Sequence, residues 1–127
     1  MTPIQTIDAV YAAFKSGDIP AILAKVAPSA SWRQPATLPW GGDHVGPEGA
    51  AAFFARLDEA METVGFEVRE NIAQGDEVVS FGTYTGKGRK SGRTATSEFV
   101  FRWRVADGKI VAYVGYNDTA ALAAALN

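Results

Sequence analysis

Few side chains in this sequence can move a proton near neutral pH or hold a polar ligand in a fixed place. His44 is the only histidine, and imidazole alone has an unperturbed pKa close to neutrality. It sits in a polar, aromatic, glycine-rich stretch, Pro35-Ala-Thr-Leu-Pro-Trp-Gly-Gly-Asp-His-Val-Gly46. Irregular chain of that length more often walls or lids a site than merely joins two elements. At a pocket edge His44 would serve as acid, base or hydrogen-bond donor; the competing reading is a solvated loop residue beside Asp43. Asp118 is the second candidate for proton transfer, because burial beside aromatics would raise its pKa and make it a base. The competing role, and the more frequent one for Asp before a helix, is an N-cap; the two can coexist. Gln34 carries a donor and an acceptor on one amide, suited to a carbonyl or hydroxyl. Trp32 and Trp40 offer flat apolar walls, against core packing for Trp32 and a loop turn for Trp40. Tyr11, Phe14, Phe54 and Tyr116 complete the candidate ligand-binding set.

Other chemistries have little support. With no cysteine, disulfides, thiol nucleophiles and thiolate metal sites are excluded. One histidine and no cysteine cannot make a usual zinc set, so no metal is expected. Trp40-Gly-Gly-Asp43 lacks the lysine and serine or threonine of a phosphate loop, no Ser-His-Asp order can be argued, and no cofactor is expected. A net charge of −2 gives no general attraction to nucleic acid. Lys87, Arg89, Lys90 and Arg93 cluster at one hairpin tip without interleaved aromatics, which reads as solvated charge. Glu98 and Arg102 share a parity on one strand and read as surface pairs. No apolar run approaches the ~18 residues of a membrane span, so no membrane partner is expected. The start Met-Thr-Pro-Ile-Gln lacks a secretory pattern, so the expected location is cytoplasmic.

These residues depend on the elements that carry them. At 127 residues the chain reads as one domain, 1–127, large enough to bury its own core. Thr2-Pro3-Ile4-Gln5 reads as a capped helix start, continued by Ile4, Ile7, Tyr11 and Phe14 at helical spacing and stopped at Gly17. Asp18 caps a second helix with the stripe Ile19, Ile22, Leu23, Val26, ending before Pro28. Ala30 to Gln34 is a short strand with Trp32 and Gln34 on one face. Gly46-Pro47-Glu48 opens a third helix, buried through Phe53, Phe54, Leu57, Met61 and Val64 and ended by Gly65. Four strands follow, Phe66 to Ala73, Val78 to Thr85, Thr94 to Val105 and Ile110 to Asn117. Phe99, Phe101, Trp103 and Val105 give the third a strongly apolar face. Asp118 then opens a short Ala-rich helix. Helices before a run of strands argue α+β: three N-terminal-half helices packed on a curved, mostly antiparallel sheet, with a cavity at the open end of the cone.

The ordered set Tyr11-Ala-Ala-Phe-Lys-Ser-Gly-Asp-Ile19, Trp32-Arg-Gln-Pro35, Leu38-Pro-Trp-Gly-Gly42, Val45-Gly-Pro-Glu-Gly-Ala-Ala-Ala-Phe-Phe54, Gly75-Asp-Glu-Val78, Asp107-Gly-Lys-Ile110 and Tyr116-Asn-Asp-Thr-Ala-Ala-Leu122 resembles the SnoaL-like branch of the nuclear-transport-factor-2-like superfamily. That group includes steroid isomerases, scytalone dehydratase and limonene epoxide hydrolase. The resemblance implies a cone-shaped α+β barrel, often a homodimer through the outer sheet face, that binds small apolar or polyketide-like molecules. Many members are cofactor-free acid–base enzymes (isomerases, cyclases, hydratases, hydrolases). The resemblance also implies a role for an aspartate in the Tyr-x-Asp ending, here Asp118. It exposes a departure: steroid isomerases place a catalytic aspartate before the proline of the first strand, where this chain has Gln34, and an amide takes up no proton at neutral pH. Their first-helix tyrosine position falls on Val10, one residue from Tyr11, and their late-strand aspartate near Val100 or Phe99. Steroid isomerisation by that set is therefore not expected. A non-catalytic ligand-binding or dimerisation module is the alternative.

Overall fold

A computed structural model describes residues 1–127. Helix α1 (Pro3–Lys15) begins as its sequence dictates: Gln5 N donates to Thr2 Oγ1 at 3.2 Å, and Thr2 N donates back to Gln5 Oε1 at 2.9 Å. Two amides that the first helical turn cannot satisfy are thereby bonded. Helix α2 (Ile19–Leu23) is capped by Asp18, whose carboxylate accepts from Ala21 N. Strands β1 (Val26–Gln34) and β2 (Gly42–Val45) precede α3 (Gly46–Ala60); β3 (Met61–Gln74), β4 (Glu77–Gly88), β5 (Thr94–Ala106), β6 (Lys109–Asn117) and α4 (Thr119–Ala124) follow. The sheet order is β2-β1-β6-β5-β4-β3. Only β1 and β6 run parallel. Register breaks in β3, between Thr63 and Gly65 and between Val68 and Glu70, add local bend and twist to the curved sheet.

Three sequence expectations are corrected. Helix α2 ends at Leu23, and Val26 starts β1 as a buried strand residue. Helix α3 ends at Ala60, and Met61 to Val64 lie in β3. There Met61 pairs with Gly88 and Thr63 with Gly86, so a long β4 supplies a ladder that overrides the helical spacing of the apolar residues. The stretch between β1 and α3 is not wholly irregular: Gly42 to Val45 pair antiparallel with Ser31 to Gln34. Gly46 then turns the chain into α3 at φ +69°, where a Cβ would stand 2.5 Å from the Pro28 carbonyl oxygen. Only glycine fits that approach.

The helices cover the inner face of the sheet, where Trp32, Phe99, Trp103, Val105, Ile110 and Tyr113 are buried. Rings meet there at tilted angles: Trp32 against Tyr113 at 4.5 Å between centroids, Trp103 against Tyr113 at 4.3 Å. Such contacts add to the burial of their large apolar areas. The outer face carries Arg102 paired with Glu77 at 2.6 Å and Arg69 with Glu98 at 3.2 Å, exposed pairs of small energetic weight. Of the hairpin-tip cations, Arg89 is tied to Asp58 at 3.0 Å, and Arg93 donates to the Ala124 carbonyl. No helix is long and apolar enough to cross a membrane.

Candidate ligand-binding cavity

Between the sheet and helices α1, α2 and α3 lies a cavity of about 60 Å³, with fifteen of its seventeen lining residues hydrophobic. Trp32 and Gln34 reach it from β1, Trp40 from the loop after β1, Tyr11 and Phe14 from α1, and Phe54 from α3. These six sequence candidates thus share one wall system, together with Tyr84, Trp103, Tyr113 and Asn117, which the sequence reading did not single out for it. A dry cavity of roughly 150 Å³ holds a benzene ring. This one therefore takes a ring only when its mouth opens. Phe14, Phe54, Leu57 and Phe66 are its half-buried hydrophobic members, and they also line an open groove of about 800 Å³ between α1, α3 and β3. They are the side chains that the cavity and the groove share.

One amide organises the polar end. Gln34 Oε1 accepts from Trp40 Nε1 at 3.1 Å and from Asn117 Nδ2 at 2.8 Å. An indole N–H can only donate, so this contact fixes the amide orientation. Gln34 Nε2 must then face Tyr113, and it donates to the Tyr113 hydroxyl at 2.6 Å. That hydroxyl accepts and keeps its own proton to give. Gly115 makes room for the pair: a Cβ there would lie 2.5 Å from the Tyr113 hydroxyl and 2.8 Å from Gln34 Nε2. Elsewhere on the wall, Trp103 Nε1 donates to the Tyr11 hydroxyl at 2.8 Å. The Trp32 indole N–H is fully buried, and no protein group accepts it.

The titratable groups of this wall are all tyrosines. Burial pushes the Tyr11 hydroxyl up to about 12, and raises Tyr84 and Tyr113 as well. All three are therefore neutral hydroxyls at physiological pH. No carboxylate or imidazole lines the cavity.

Three sequence candidates lie elsewhere. Asp118 is exposed and caps α4, its Oδ1 accepting from Ala121 N at 3.1 Å. The aspartate follows the last sheet residue, so its carboxylate turns to the helix amides instead of the cavity. Tyr116 is 58% exposed: strand alternation puts Tyr113, Gly115 and Asn117 inward and Tyr116 outward. His44 lies behind the wall, its ring edge-on to Phe53 at 6.2 Å. Its Nε2 is 3.2 Å from the Gly41 carbonyl and 3.3 Å from that of Trp40. Two carbonyls can only accept, so Nε2 carries the proton, and the ring ties the loop to β2. Neither proton-transfer candidate, Asp118 or His44, lines the cavity.

The sequence profile of the SnoaL-like domain matches residues 7–113, and the chain belongs to that family. A nuclear-transport-factor-2-like protein of Burkholderia thailandensis superposes with a TM-score of 0.93 at 30% identity, covering 100% of this chain and 98% of that one. TerC, in a crystal structure co-crystallized with polyporic acid, gives 0.88 at 34% identity, covering 98% and 97%. IdmH of Streptomyces antibioticus, proposed to be a polyketide cyclase, gives 0.77 at 25% identity, covering 99% of each chain. Comparison with curated proteins found no match.

Proposed function

We propose that this protein binds a flat, uncharged, largely apolar small molecule of polyketide-like character in the cavity between sheet and helices. Turnover there would be cofactor-free, in the manner of a cyclase or isomerase. The protein would fold the substrate against aromatic walls and steady its oxygens with neutral hydroxyl and amide donors. The observation that carries this reading is the cavity wall: almost wholly hydrophobic, with two hydrogen-bonded amides and three protonated tyrosines. Ligand sites have this makeup, apolar lining with a few placed polar groups. The likeness to TerC and IdmH supports the ligand class. The same wall favours a second reading, a binding protein without catalysis, because it carries no group that takes up a proton near neutral pH.

Two copies pairing through the outer sheet face belong to the proposal. Outward-facing Val100, Tyr116, Phe81 and Ile72 support it, the last 54% exposed; a monomer by light scattering at micromolar concentration would refute it. The ligand class is tested by tryptophan-fluorescence titration with naphthalene and naphthalene-2-sulfonate. The uncharged ring is expected to saturate the signal and the sulfonate to leave it unchanged, since the cavity offers a buried anion no cation. Equal binding of both, or of neither, would overturn the reading.

A further inference from the structure

Polar groups inside proteins are almost always bonded, and a buried donor left without an acceptor costs about 1–3 kcal/mol. The Trp32 indole N–H is such a donor, on a ring 1% exposed that lines the cavity. Its neighbour is Tyr113, its partner across the β1–β6 ladder, with ring centroids 4.5 Å apart. The Tyr113 hydroxyl accepts from Gln34, and its own proton is not used in that bond. Two adjacent strands thus carry two donors on side chains that line the same apolar space. Of the acceptors on the wall, Gln34 Oε1 receives two hydrogen bonds and the Tyr11 hydroxyl one, none of them from Trp32.

We infer that Trp32 Nε1–H and the Tyr113 hydroxyl are the recognition pair for a carbonyl oxygen of the bound molecule, so that the site selects flat ketones or quinones over hydrocarbons of the same shape and over carboxylates. A carbonyl oxygen has two lone pairs and takes both hydrogen bonds. A hydrocarbon fills the space and leaves both donors orphaned. A carboxylate would accept the same bonds but must shed its hydration where no cation compensates. This inference rests on the cavity being the ligand site.

The test uses 1-indanone, indane and indane-2-carboxylate with the full chain, followed by two-dimensional ¹⁵N–¹H NMR. The chain has three tryptophans, so three indole signals are resolved. Those of Trp40 and Trp103 are already hydrogen-bonded. On adding 1-indanone, the Trp32 signal should move downfield more than the other two. 1-Indanone should bind about tenfold tighter than indane, as one or two added hydrogen bonds provide, and the carboxylate should bind more weakly than both. Trp32→Phe should remove the preference and keep indane binding; if that variant does not fold, the wild-type indole shift decides. Equal affinities for 1-indanone and indane with a stationary Trp32 signal would overturn the carbonyl assignment and leave the apolar site standing. Failure of all three probes to bind would overturn both.

Discussion

Replacing Gln34 by leucine tests how much of this cavity is held by a single amide. The substitution removes three hydrogen bonds: from Trp40 Nε1, from Asn117 Nδ2 and to the Tyr113 hydroxyl. Trp40 and Tyr113 are 2% and 3% exposed, so neither recovers a partner from solvent. Asn117 is half-buried and reaches water. Two stranded buried groups cost about 1–3 kcal/mol each, or roughly 4 kcal/mol together, and the added apolar contact of leucine returns about 1 kcal/mol. A net loss of about 3 kcal/mol is expected. With an m-value of about 1.5 kcal/mol/M, urea midpoints followed by tryptophan fluorescence and circular dichroism should fall by about 2 M at unchanged m. Asn117→Ala, which removes only the solvent-accessible partner, should cost no more than about 1 kcal/mol. A midpoint shift below about 0.5 M for Gln34→Leu would show that the amide network stabilises little and that the cavity geometry rests on ring packing alone.

Gly115→Ala should act on the same network from behind, pushing the Tyr113 hydroxyl and Gln34 apart at a cost of about 1–3 kcal/mol; a variant as stable as the parent by urea titration would contradict the close approach. Asp118→Ala should cost about 1 kcal/mol through the lost α4 cap and leave naphthalene affinity unchanged; a tenfold loss of affinity would bring the carboxylate into the site. Stability should also fall at alkaline pH. Below pH 10 the tyrosines of both states are protonated; above it the unfolded chain releases protons that native Tyr11 holds until about pH 12, so stability declines as pH rises. Tyr11 alone accounts for a loss of about 1.4 kcal/mol by about pH 11. The drop in urea midpoint between pH 8 and pH 11 should be smaller in Tyr11→Phe by about 0.9 M at an m-value of about 1.5 kcal/mol/M, and an equal drop in both would refute the assignment.

The elements set by local chemistry were legible in the sequence. Thr2 with Gln5, and Asp18 with Ala21, are caps whose bonding needs nothing beyond the neighbouring turn. The alternation of Phe99, Phe101 and Trp103 named the buried face of β5 correctly. What depended on partner strands was not legible. Met61 and Val64 keep helical spacing with Phe53 and Leu57, and only the length of β4 draws them into β3. Strand β6 is apolar on both faces, so its period could not tell inward Tyr113 from outward Tyr116. The Trp32–Gln34 parity did transmit, because β1 alternates small or charged residues with large ones. Asp118 carried two compatible roles on paper, and the helix amides next to it took the carboxylate.

A crystal structure of the protein grown with 1-indanone addresses the central claim most directly. The account predicts the ring in the cavity between Trp32 and Trp103, with the carbonyl oxygen about 3 Å from Trp32 Nε1 and the Phe14 or Phe54 ring turned outward. A ligand seated on the outer sheet face, with the cavity walls unmoved, would contradict it.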